Sequence, residues 1–125
     1  MKTYLRYILA GVSFAALCGC ANMPGMGAKS VAGTWTNSLG TVWAIKPDNT
    51  FEVDRYGKGK TDIRGTYAIK GDTFTITGNE GKIPKGCEGQ GVYKFSRKGN
   101  DLTFTLVSDT CKDRKKNVLS PWHRQ

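Results

Sequence analysis

Apolar and polar residues alternate along most of the chain after position 33, in short runs separated by glycine, proline, asparagine and aspartate. Alternation of period two predicts half-buried β-strands, with one face packed and the other in water. Threonine, lysine and acidic residues occupy most of the intervening positions. The packed face is predicted to carry the pairs Phe51/Val53, Tyr67/Ile69, Phe74/Ile76, Tyr93/Phe95 and Phe104/Leu106.

About eight strands are predicted, and no helical period of useful length is present. Eight antiparallel strands bury one face best by closing into a small up-and-down barrel, which also removes exposed edges. A two-sheet β-sandwich is the alternative. A long glycine-rich loop is predicted over 78–91. The predicted strands are 33–37, 43–46, 51–55, 65–69, 73–77, 92–96, 102–107 and a short last strand holding Val118, Leu119, Trp122 and His123.

The N-terminus has the pattern of an export signal. Lys2 and Arg6 precede an uncharged run over 7–17, which is the order of a basic region followed by an apolar region. That run is too short to remain as a membrane-spanning helix, which needs about 20 apolar residues. The sequence therefore predicts a signal peptide over 1–19, a flexible tether over 20–32 and a barrel domain over 33–125.

The end of the apolar run, Leu17-Cys18-Gly19-Cys20, resembles the bacterial lipobox. The resemblance implies that Cys20 is lipidated and becomes the mature N-terminus. Ala21 follows the cysteine where aspartate would retain the protein in the inner membrane, which implies the outer membrane with the domain facing the periplasm. Two or more acyl chains anchor a protein stably. An ordinary secreted protein with a chance cysteine is the alternative.

Charge narrows the classes of partner. The 125-residue chain has a net charge of +9, and removal of Lys2 and Arg6 with the signal leaves +7. A basic surface favours anionic partners such as phospholipid headgroups, lipopolysaccharide or an acidic protein surface. Nucleic acid is not expected for an exported lipoprotein. Attraction to its own membrane is the simpler interpretation of the charge.

Of the four cysteines, only two are left with a free thiol after the signal is cleaved and Cys20 is lipidated. Cys87 and Cys111 remain in an oxidising compartment, where a disulfide is the default expectation. Pairing between two molecules is the alternative. With one histidine, His123, and no ligand cluster at metal-binding spacing, neither a metal nor a cofactor is predicted.

The register of one hairpin supports this pairing. A turn at 98–100 predicts that paired residues have numbers summing to about 198, so that Tyr93 faces Thr105 and Gly91 faces Val107. Continuing that ladder places Cys87 opposite Cys111. The disulfide would then close a loop of about 25 residues and contribute roughly 3 kcal/mol.

Gly33-x-Trp35 on the first strand, a compact antiparallel meander and Arg124 near the end resemble the calycin group of small lipocalin-like barrels. The resemblance implies that Trp35 packs across the barrel base and that Arg124 lies over its ring, a cation–π contact. Both residues are then structural, closing the barrel. The further motifs of a full lipocalin are not found.

The segment 33–40, Gly-Thr-Trp-Thr-Asn-Ser-Leu-Gly, resembles the opening hairpin of avidin-type biotin binders. The resemblance implies that Asn37 and Thr41 are hydrogen-bond donors to a ligand, with Tyr67 on a later strand as a third. The later tryptophans and the aspartate of that family have no clear match here. Biotin is therefore an outlying candidate ligand.

The predicted function is binding without catalysis. Tyr93 and the other aromatics Tyr67, Phe74, Phe95 and Phe104 would line a pocket for a small apolar ligand or envelope component, or would simply fill it. The alternative is a protein-interaction or inhibitor module that acts through the loops 78–91 and 112–116. His123 is expected on the surface, since no nucleophile motif accompanies it. The sequence does not determine the oligomeric state.

Overall fold

The structure, a computed structural model, describes Ser30–Gln125. The predicted signal over 1–19 and Cys20 lie outside the described residues. Among the described residues, Ser30 and Val31 are helical. Eight strands and a further helix follow in chain order: β1 Gly33–Asn37, β2 Val42–Ile45, β3 Thr50–Asp54, β4 Ile63–Lys70, β5 Thr73–Gly81, β6 Gln90–Lys98, β7 Asp101–Ser108, α1 Lys112–Val118 and β8 Trp122–Arg124.

The strands form a closed antiparallel barrel in which each pairs with its sequence neighbours and β8 returns to β1. The predicted all-β, eight-stranded barrel is confirmed. Period-two alternation is the cause, because it places one apolar set inside while residues such as Thr66, Thr103 and Thr105 face water. The buried core consists of Val31, Trp35, Trp43, Ile45, Phe51, Tyr67, Phe74, Ile76, Tyr93, Leu102, Phe104, Val118 and Trp122.

One end of the barrel is sealed around Trp35, which pairs with Arg124 across the β1–β8 seam. The guanidinium groups of Arg124 and Arg97 each lie 5.1 Å from the centre of a Trp35 ring. The indole donates to the Val31 carbonyl at 2.9 Å. A side chain at Gly33 would collide with Arg124, because a Cβ there would lie 2.0 Å from Arg124 Nη1. Gly33, Trp35 and Arg124, the residues of the Gly-x-Trp and arginine pattern, therefore pack together in one cluster.

Val31 belongs to this cluster although the sequence places it in the tether. It is fully buried, and Arg97 donates to the Ser30 carbonyl at 2.9 Å. The packed domain therefore includes residues before the expected boundary at 33.

The β6–β7 register differs by one residue from the prediction. Tyr93 pairs with Leu106 instead of Thr105, and Phe95 pairs with Phe104. The turn contains two residues rather than three, with Gly99 at φ 61°, as a tight hairpin requires. A bulge between Val92 and Tyr93 shifts the ladder again.

Leu106 was predicted on the packed face, but the residue is 46% exposed. Its face is the predicted one, but β8 reaches only Asp101 and Leu102 of β7. The far end of β7 therefore projects beyond its last strand neighbour on that side.

Helix α1 replaces the basic loop predicted over 112–116 and also takes in Val118, so the last strand begins at Trp122 rather than at Val118. Cys111 is the N-cap of α1, with Sγ accepting from the Arg114 backbone N–H at 3.2 Å. Seven residues are too few to show a helical period. The glycine-rich loop is also shorter than predicted, because β5 extends to Gly81 and β6 begins at Gln90. Within residues 30–125, no helix has the length and apolarity needed to cross a bilayer.

Candidate ligand-binding site at the open end of the barrel

A cavity of about 80 Å³ lies at the end of the barrel opposite Trp35. Strands β2 to β5 supply its walls, while loop 82–89 and α1 cover it. Its surface is almost entirely apolar. The apolar lining residues are Trp43, Phe51, Val53, Ile63, Ile76, Gly78, Ile83, Pro84, Val118 and Trp122.

The rest of the interior is filled by aromatic rings. Trp43 contacts four of them, Phe51, Phe74, Phe104 and Trp122, at centroid distances from 5.0 to 6.1 Å. Tyr67 stacks on Phe74 at 5.0 Å. Most of the predicted pocket aromatics therefore fill the barrel, and free space remains only near its open end.

Loop 82–89 and α1 are joined by the disulfide Cys87–Cys111, whose Cα atoms are 4.7 Å apart. The predicted intramolecular pairing is confirmed. Both cysteines line the cavity, as do Ile83 and Pro84 of the same loop. The loop turns apolar side chains toward the barrel, so the disulfide holds the cover of the cavity together.

A buried ion pair fixes the start of α1. Arg114 donates to both carboxylate oxygens of Asp109, at 2.7 and 2.8 Å, and the Asp109 side chain is fully buried. The Tyr93 hydroxyl and the Cys111 backbone N–H also donate to this carboxylate. A Cβ at Gly91 would lie 2.4 Å from Asp109 Oδ2, so only glycine leaves room for the pair.

The pKa values of this cluster follow from burial and hydrogen bonding. Burial alone would raise the pKa of Asp109, but the bonds from Arg114, Tyr93 and the Cys111 N–H outweigh it and hold that pKa below its usual value. Burial, together with the bond to Asp109, raises the pKa of Tyr93 well above its usual value. Asp109 is therefore ionised and Tyr93 neutral at physiological pH.

Outside the apolar cavity lies a more polar groove of about 280 Å³, here called the vestibule. The cavity and the vestibule share four lining residues, so they form one continuous depression. The vestibule is lined by Leu39, Thr41, Arg55, Tyr56, Asp113, Lys116 and Asn117, of which Thr41, Arg55, Asp113 and Asn117 also line the cavity.

Asn37 and Thr41, the ligand donors implied by the avidin resemblance, lie together at this end of the barrel. Asn37 Nδ2 donates to the carbonyl and side-chain oxygens of Asn117, both at 3.3 Å, while Asn37 Oδ1 accepts from the backbone N–H groups of Leu39 and Thr41. Thr41 Oγ1 donates to Asn117 Oδ1. These side chains tie the β1–β2 turn to α1, and Thr41 alone of the two lines the depression.

The two candidate tyrosines lie elsewhere. The Tyr67 hydroxyl donates to the Lys46 carbonyl at the opposite end of the barrel. Burial, with a smaller contribution from Asp48, raises the pKa of Tyr67 to about 12. Tyr93 is held by Asp109. Neither tyrosine lines the cavity or the vestibule.

His123 lies on the surface. Its Nδ1 is 2.7 Å from Asp101 Oδ1, but both side chains are more than 60% exposed and neither lines the cavity or the vestibule. Across Ser30–Gln125, no group of three or more His, Cys, Asp or Glu side chains could hold a metal ion.

Arg55 and Asn117 were not predicted as site residues. Arg55 follows Phe51 and Val53 at period two, so the alternation itself places it on the inner face of the barrel, where an arginine is unexpected. This signal was available in the sequence. The sequence carried no such signal for Asn117, because its position depends on the short helix α1.

Comparison of the chain with protein-family models, with curated proteins and with solved structures found no match in any of the three. The lipobox, calycin and avidin resemblances stay predictions from sequence. The geometry at the open end of the barrel therefore carries the functional argument.

Proposed function

We propose that the chain is an outer-membrane lipoprotein whose barrel binds the apolar end of a small ligand, without catalysis. The observation that carries the proposal is the apolar cavity, which opens into a more polar vestibule. Apolar pockets with a few polar groups at the mouth are typical of small-molecule sites. A ligand with one apolar and one polar end matches that arrangement.

The cavity limits the size of the apolar end. An apolar cavity of about 150 Å³ holds one benzene molecule, which has six carbon atoms. At 80 Å³, the cavity holds about three carbon atoms on the same scale. The remainder of the ligand lies in the vestibule, so we expect short amphiphiles to bind and bulky apolar molecules to be excluded.

Gly78→Ala tests this proposal directly. A Cβ at Gly78 meets Ile83 Cδ1 at 3.5 Å and Ile63 Cγ2 at 3.7 Å, which are ordinary contacts. The substitution therefore leaves the barrel folded but puts a methyl group into the cavity. We expect short-chain alcohols of three to six carbons to bind the wild-type lipoprotein in lipid nanodiscs, and to bind Gly78→Ala at least about threefold more weakly, in a ligand-detected NMR titration with empty nanodiscs as the blank.

Gly89→Ala is the matched control, because no atom lies within 4 Å of a Cβ placed there. It should leave the affinity unchanged. Absence of binding to the wild type, or equal affinity for wild type and Gly78→Ala, would contradict the proposed site.

The anchoring part of the proposal rests on Leu17-Cys18-Gly19-Cys20 and Ala21. Cys20→Ser removes the thiol that would carry the lipid. We expect this variant to leave the outer-membrane fraction and to lose its sensitivity to a lipoprotein signal-peptidase inhibitor, because no acyl chains then hold it. Cys18→Ser is the control and should stay on the membrane. Unchanged membrane association of Cys20→Ser would refute the lipid anchor.

A further inference from the structure

We propose that the ligand is a small carboxylic acid, with its short apolar tail in the cavity and its carboxylate bound by Arg55 in the vestibule. This inference rests on the proposed function and adds the chemical class of the ligand. It is carried by the placement of Arg55, by the charges around the vestibule and by the shape of the depression.

Arg55 is the arginine at the junction of the cavity and the vestibule. Its backbone is fixed, because its N–H donates to Asp62 Oδ2 at 2.9 Å. Its guanidinium lies 5.4 Å from the centre of the Tyr56 ring. An aromatic face beside the guanidinium helps to orient it toward a ligand.

The Arg55 side chain lacks an acceptor within the described chain. Its Nε is buried and makes no hydrogen bond, and no carboxylate of residues 30–125 lies within 4.0 Å of its guanidinium. Arg114, also at the cavity, is by contrast paired with Asp109 through two bonds. A buried donor without an acceptor is unfavourable until a ligand supplies one.

The second buried side-chain donor left without an acceptor is also at the cavity. Trp43 Nε1 makes no hydrogen bond within the described residues, whereas Trp35 and Trp122 each donate to a carbonyl four residues earlier. Trp43 is enclosed by aromatic rings, so it forms the apolar floor. Arg55, which reaches the vestibule, is the donor assigned to the carboxylate.

The charge around the vestibule favours an anion. Arg55 and Lys116 oppose one acidic side chain, Asp113, and neither cation has a salt-bridge partner among residues 30–125. The planar guanidinium matches a carboxylate through two parallel hydrogen bonds. A short aliphatic acid therefore fits both features, because its tail fills the apolar cavity and its carboxylate accepts from the unpaired Arg55.

The test compares butanoate, pentanoate and hexanoate with the alcohols of equal chain length, against the full mature lipoprotein in lipid nanodiscs at pH 7. Ligand-detected NMR with empty nanodiscs as blank gives each affinity. We expect the wild type to prefer the acid by about 10-fold. Arg55→Met should abolish that preference, because the acid loses a charged partner and the alcohol loses only a hydrogen bond to its neutral oxygen.

Two further variants make the test independent of how Arg55→Met folds. Asp113→Asn removes an exposed acid from the vestibule and should tighten acid binding by a few fold. Lys70→Met removes a charge at the opposite end of the barrel and should change nothing. Equal binding of acids and alcohols, or an unchanged preference in Arg55→Met, would overturn this inference but leave the proposed function intact. Failure of both ligand series to bind would overturn the proposed function itself.

Discussion

Asp109→Ala is expected to destabilise the barrel by about 3–5 kcal/mol, because it leaves a partly buried guanidinium without its counter-ion. In the native chain Arg114 is bonded to both Asp109 oxygens, and Tyr93 and the Cys111 N–H donate to the same carboxylate. Alanine at position 109 removes the acceptor of all four bonds. Urea denaturation of the two proteins measures the difference in the free energy of unfolding.

Two comparisons isolate the cause. Adding Arg114→Met to Asp109→Ala removes the unpaired charge and should recover part of the lost stability. Asp101→Ala breaks the exposed pair with His123 and should have little effect, because solvent screens such pairs. A loss below 1 kcal/mol in Asp109→Ala, or a double variant less stable than the single one, would contradict this account.

The same carboxylate predicts the response to acid. The folded pKa of Asp109 lies below its ordinary value, so its contribution to stability is fully present above the unfolded pKa of about 3.9. It is lost as the pH falls through the lower folded pKa. We expect the free energy of unfolding of the wild type to fall more steeply below pH 4 than that of Asp109→Ala.

The barrel could be predicted because its cause is local. The spacing of two apolar residues alone predicts which face of a strand is buried, as for Phe51 and Val53 or for Phe74 and Ile76. The closed topology followed because consecutive short strands pair with their neighbours. The disulfide was predicted correctly although the register was not, because Cys87 and Cys111 lie beyond the paired region of β6 and β7.

The errors concern features that the alternation of apolar and polar residues does not record. The helix α1 takes its position from the Asp109–Arg114 pair, from the Cys111 cap and from the burial of Val118, none of which has a local periodicity. The single-residue shift in β6–β7 depends on a two-residue turn and on a bulge. The two-residue turn could have been identified from Gly99-Asn100, whereas the bulge has no signature in the alternation.

The candidate site was only partly predictable for the same reason. Asn37 and Thr41 were placed near one another by the hairpin, but their hydrogen bonds to Asn117 depend on α1. Arg55 could have been identified, since it continues the inward face of β3. An arginine at an inward position of a small barrel is a stronger indication of a binding site than the aromatics, which fill the core.

Reduction of Cys87–Cys111 is expected to lower stability by roughly 3 kcal/mol, because the bond closes a loop of about 25 residues and restricts the unfolded chain. It should also weaken ligand binding, since loop 82–89 and α1 cover the cavity from two sides and are joined there. We expect the urea midpoint and the affinity for short amphiphiles to fall together when the thiols are reduced. In the reduced protein, the backbone amides of loop 82–89 should exchange with deuterium faster than those of β2 and β3.

Single serine variants separate the covalent link from the helix cap. Both Cys87→Ser and Cys111→Ser remove the disulfide, but serine at position 111 keeps an N-cap for α1, where Sγ now accepts from the Arg114 N–H. The two variants should therefore lose similar stability, and Cys111→Ala should lose about 1 kcal/mol more than Cys111→Ser. An unchanged urea midpoint after reduction would contradict this prediction. It would show that the packing of Ile83 and Val118, with the ion pair and hydrogen bonds of α1, holds the cover in place without the disulfide.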